Sequence, residues 1–66
     1  MRYEYYYCDV VTQNKPNDRW YLRIDTDDNS VYLLEKNEWL RIMSRASSVR
    51  ESYIPITYED LILDLI

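Results

Sequence analysis

Five consecutive residues, Asp25-Thr26-Asp27-Asp28-Asn29, carry oxygen ligands at the spacings that open a helix–loop–helix calcium loop. The match then ends. The sixth position is Ser30 where that loop needs glycine, and the twelfth is Lys36 where it needs a bidentate glutamate. The flanks alternate like strands, so an acidic hairpin loop is expected instead of a metal site. Cys8 is the one cysteine, set in an apolar stretch, and there is no histidine to act as its base. The same lack removes histidine-ligated zinc. Lys15 and Lys36 lie among polar residues, where an activated amine is not expected. The chain contains no glycine, which excludes the glycine-dependent phosphate-cradling loops. Its carboxylates are scattered, without the pairing glycoside hydrolysis needs. A non-enzymatic protein with no metal and no cofactor is expected.

Recognition chemistry is better represented. Tyr3, Tyr5 and Tyr7 would share one face of a strand, and tyrosine offers large contact area with a polar tip. Tyr21, Arg23 and Tyr32 would share the outer face of a hairpin, a modest candidate for stacking single-stranded nucleic acid. Glu59, Asp60 and Asp64 fall in a terminal segment with no basic residue, a candidate uncompensated acidic group. These nine residues are the expected partner-binding positions.

Composition sets the frame. The chain has 66 residues and a net charge of −4, from 12 acidic and 8 basic side chains. One small domain over 1–66 is expected. A single core of this size is marginal and usually needs a supplement. One cysteine forbids an internal disulfide, which leaves oligomerisation or a partner. The 47% apolar content and eight tyrosines argue against disorder. Net acidity weakens contact with a phosphate backbone, so direct nucleic-acid binding is disfavoured. The longest apolar run, Leu61 to Leu63, is too short to span a bilayer, and no signal-peptide pattern precedes it. A cytoplasmic protein is expected. In size and acidity alone the chain resembles small phage-encoded inhibitors, a likeness that transfers no residue.

The elements that must position these groups follow from periodicity. Tyr3 to Val11 reads as a strand and Thr12 to Asp18 as a loop. Trp20 to Asp25 and Ser30 to Lys36 read as a hairpin around Thr26–Asn29. Its expected register pairs Ile24 with Val31, Leu22 with Leu33 and Trp20 with Glu35. Asn37 and Glu38 read as the start of a helix with Trp39, Ile42, Met43 and Ala46 on one face. A short strand is expected between Val49 and Ile54. Thr57 then caps a terminal helix whose N3 residue is Asp60. A terminal strand over Leu61–Ile66 is the competing expectation. The expected fold is α+β: a small antiparallel sheet of three to four strands packed against one or two short helices, in the order β-β-β-α-(β)-α. Its core would set Trp20, Leu22, Ile24, Val31 and Leu33 against Trp39, Ile42 and Met43, with the last helix adding Leu61, Ile62 and Leu65.

Function is expected to be that of a protein-interaction module, a small regulator or inhibitor of a larger protein. An inhibitor that imitates the charge of nucleic acid is one alternative, and a weak single-strand binder is another. A homodimer through the first strand or the terminal helix is also expected.

Overall fold

The computed structural model describes residues 2–10 and 18–66. The expected loop over 12–17 and the end of the first strand at Val11 lie outside the described residues. The elements are β1 (Tyr3–Val10), β2 (Asp18–Asp25), β3 (Ser30–Glu35), β4 (Glu38–Ile42), α1 (Ala46–Ser52), β5 (Ile54–Ile56) and α2 (Tyr58–Leu65). The strands form one sheet in the order β4-β3-β2-β1-β5, with antiparallel neighbours throughout. The α+β class, the antiparallel sheet and its two short helices are as expected.

The β2–β3 hairpin pairs Leu22 with Leu33 and Ile24 with Val31. The ladder stops at Leu22, so the expected Trp20–Glu35 pair is not part of it. The turn Thr26–Asn29 consumes its own carboxylates. The Asp27 N–H donates to Asp25 Oδ1 at 3.0 Å, and Asp28 Oδ1 accepts from Ser30 N–H at 3.0 Å and from Ser30 Oγ at 2.6 Å. Asn29 closes the turn at φ 60°, a left-handed conformation that asparagine tolerates.

The segment expected to begin a helix at Asn37 is a strand, β4. Lys36 and Asn37 both take positive φ, 50° and 65°. Two successive residues of that kind make the tight hairpin turn whose twist matches its flanking strands. Asn37 therefore reverses the chain where a helix cap was expected. Period two then replaces period 3.6: Trp39 and Arg41 point to one side of the sheet, Leu40 and Ile42 to the other. The helix comes later, over Ala46–Ser52, and takes in Val49 to Ser52, the first part of the expected short strand. Only Ile54–Ile56 remain extended, as an edge strand where Pro55 has no ladder hydrogen bond to lose on its outer side. At α2 the expected cap is present, with Thr57 Oγ1 accepting from the Asp60 N–H at 3.1 Å.

Registers and alternation assign every sheet residue to a face. One face carries Tyr6, Leu22, Ile24, Val31, Leu33 and Ile42, and Ala46, Val49 and Tyr53 pack against it. The other face carries Tyr3, Tyr5, Tyr7, Arg19, Tyr21, Arg23, Tyr32, Leu34, Trp39 and Arg41. The expected single core is thus corrected. Trp39 lies on the face opposite Leu22, because it belongs to a strand and not to a helix laid over the sheet. Met43 follows the end of β4 and is 99% exposed. Trp20 stays 47% exposed.

Candidate functional site

The tyrosine face divides into two clusters. At its centre the registers align one row across four strands: Tyr5 of β1, Arg23 of β2, Tyr32 of β3 and Arg41 of β4. Aromatic and cationic side chains alternate along it. The Arg23 guanidinium carbon lies 4.3 Å from the Tyr3 ring centroid, 4.7 Å from Tyr32 and 4.9 Å from Trp39. All three fall within the reach of cation–π attraction. Tyr5 closes the cluster, with its ring centroid 5.9 Å from Trp39, 5.3 Å from Tyr58 of α2 and 6.4 Å from Tyr3. Burial pushes the Tyr5 hydroxyl pKa up, partly offset by the Arg23 charge. Arg23 Nε is buried and has no hydrogen-bond partner, and none of the described ion pairs includes Arg23.

The second cluster fastens α2 to the sheet. Arg19 lies over the Tyr7 ring at 4.2 Å. Its Nε donates to Asp9 Oδ1 at 2.6 Å and its Nη1 to Asp64 Oδ2 at 2.9 Å. The Tyr21 hydroxyl donates to the same Asp64 oxygen at 2.7 Å. Burial, reinforced by the Asp64 carboxylate, pushes the Tyr21 pKa up to about 12. The Tyr21 and Arg19 donors hold Asp64 below the usual carboxylate range. The acidic group of the terminal helix is therefore not uncompensated as expected: Arg19, distant in sequence, neutralises Asp64. Glu59 and Asp60 sit exposed in the first turn of α2, where the helix dipole favours acids.

The nine expected binding positions thus separate. Tyr3, Tyr5, Arg23 and Tyr32 converge in the first cluster. Tyr7, Tyr21 and Asp64 converge in the second, and Glu59 and Asp60 belong to neither. Sequence reasoning missed Arg19, Trp39, Arg41 and Tyr58. Arg19 shares the period-two phase of Tyr21 and Arg23, which was a usable signal. Trp39 and Arg41 were hidden by the helical pattern read into β4.

The outer side of α2 is a third feature. Leu61 is 1% exposed and faces inward, yet Leu63 is 65% exposed and Ile66 92%. Tyr58, Ile62 and Leu65 are also exposed. Tyr58, Glu59, Ile62 and Leu63 line a shallow apolar groove. Among the described residues there is no cluster of three or more groups suited to hold a metal ion. No described helix is long and apolar enough to cross a membrane. Cys8 is a free thiol, half-buried at the end of the aliphatic face.

No family model, curated protein or solved structure matches this chain.

Proposed function

We propose that this is a non-enzymatic protein-interaction module whose contact surface is the outer side of α2. One observation carries this reading: the eight-residue α2 buries a single leucine and leaves Ile62, Leu63 and Leu65, with Ile66 just beyond it, open to solvent. Clustered exposed aliphatics rimmed by polar groups are the usual mark of an association surface. Glu59 and Asp60 supply the polar rim and favour a partner carrying basic groups. A regulator or inhibitor of a larger protein fits so small a chain. A nucleic-acid mimic has less support, because Asp64 is engaged by Arg19 and Tyr21.

The test compares the wild type with Leu63→Ser, a change at an exposed position that leaves the fold intact. Immobilised wild-type protein is expected to retain a partner from host lysate that Leu63→Ser does not. Sedimentation at micromolar concentration shows whether the partner is a second copy. Equal retention by both proteins, together with a purely monomeric wild type, would overturn the reading.

A further inference from the structure

We propose that the half of the tyrosine face formed by β3 and β4, with Arg23 at its border, binds short single-stranded nucleic acid. Arg23 and Arg41 would meet its phosphates, and Tyr32 and Trp39 would stack its bases. The site is distinct from the outer side of α2. Among the described residues no hydrogen bond, ion pair or ring contact joins α2 to β3 or β4. Tyr32, Leu34 and Trp39 keep intermediate exposure there, and Arg41 is exposed.

Three observations point to this ligand. The first is the row itself. Arg23 and Arg41 flank Tyr32 at directly paired positions, two strand spacings or about 10 Å apart. Cations alternating with rings on an open sheet are what a flexible strand of phosphates and flat bases needs. The second is the state of Arg23. Of the described ion pairs, Arg19 and Arg50 take the carboxylates of Asp9, Asp64 and Glu4, and none falls to Arg23. The rings of Tyr3, Tyr32 and Trp39 stabilise its charge from the sides, so among the described ion pairs this cation is faced by rings and not by a carboxylate.

The third is the distribution of acids. The net charge of −4 is unfavourable overall, but it is not spread evenly. Glu35 and Glu38 pair with each other across β3 and β4 on the opposite face. Asp25 shares this face but lies at its hairpin end, paired with Tyr3 and Ser30, and Asp28, in the turn beyond it, feels the charge of Arg41; Asp25 accepts from the Asp27 N–H and Asp28 from Ser30. The other end of the half-face carries Lys36 in its turn. An acidic peptide could use the two arginines, but it would leave the Tyr32 and Trp39 rings without a role.

Anisotropy of a fluorescein-labelled single-stranded oligonucleotide, titrated with the full chain at low salt, tests this. Binding is expected, with a log–log salt slope of about −1.4, since each neutralised phosphate of a single strand contributes about −0.7. Arg41→Gln, at an exposed position, should reduce the slope to about −0.7. Trp39→Leu should weaken affinity about tenfold through lost stacking. Leu63→Ser should bind like the wild type, which separates this site from the α2 surface. Four results would each overturn the proposal: no binding at low salt, wild-type slope and affinity in both variants, equal affinity for a duplex, or displacement by polyglutamate at matched charge concentration. The last would assign the site to an acidic peptide.

Discussion

On one side of the sheet Leu22, Ile24, Val31 and Val49 are sealed from water at 2% exposure or less. On the other, Leu61 is the only aliphatic side chain so well buried among the described residues, and the contacts are rings, cations and carboxylates. The two sides are therefore held differently. Burial of aliphatic surface is non-directional and scales with area, so α1 needs only Ala46 and Val49 in place. The tyrosine side relies on geometry: one carboxylate, Asp64, receives both Arg19 and Tyr21. Half-exposed ion pairs of this kind add little stability and mainly fix orientation. The aliphatic side thus supplies most of the buried apolar area, and the tyrosine side fixes orientation.

Substitutions can break or sharpen this contrast. Ile24→Ala empties the best-sealed position and is expected to cost about 2–5 kcal/mol, enough to threaten the whole fold. Chemical denaturation would read it as a large fall in midpoint. Leu61→Ala is expected to cost about 2 kcal/mol, near the low end for such truncations, if α2 undocks as a unit separate from the sheet. Hydrogen exchange should then show α2 amides losing protection while β2 and β3 keep theirs. Uniform loss across both would mean that the two sides are one cooperative unit. Thr57→Ala removes the α2 cap and should cost about 1 kcal/mol, again confined to α2.

The smallest effect is one of pH. The fold favours neutral Tyr21, whose pKa rises from 10.0 to about 12. Above the ordinary tyrosine pKa the unfolded chain releases this proton first. The contribution is complete below pH 10.0 and is lost as pH rises toward about 12. Asp64 behaves oppositely: its contribution is present above the ordinary carboxylate range and is lost as pH falls through its lowered folded value. Denaturation midpoints followed against pH should show both limbs, and Tyr21→Phe should flatten the alkaline one.

The elements that were readable from sequence are those whose local signals agree. Strict alternation and a four-residue loop made the β2–β3 register follow directly, since a one-residue slip would turn one strand's apolar pair, Leu22 and Ile24 or Val31 and Leu33, to the wrong face. Thr57 and Asp60 marked the start of α2 in the same way. Strand β4 failed because Trp39, Leu40, Ile42 and Met43 satisfy both periods. The deciding fact was the backbone of Lys36 and Asn37, where a cap residue and a turn residue are the same amino acid. Helix α1 was obscure because only Ala46 and Val49 mark its buried side. The candidate site was half readable for the same reason. Its β1 and β2 members share a visible alternation, whereas Trp39 and Arg41 join them only through the misread strand.

The sheet order also separates short-range pairing from long-range closure. Strands β1 to β4 are neighbours in the chain and in the sheet, so they can zip together as successive hairpins. The contacts of Asp64 instead close intervals of 43 and 45 residues, among the longest in the protein. Closing long intervals costs chain entropy before any contact repays it. The long intervals predict that α2 docks after the rate-limiting step, in which case Leu61→Ala speeds unfolding more than it slows refolding, as the two arms of a chevron would show.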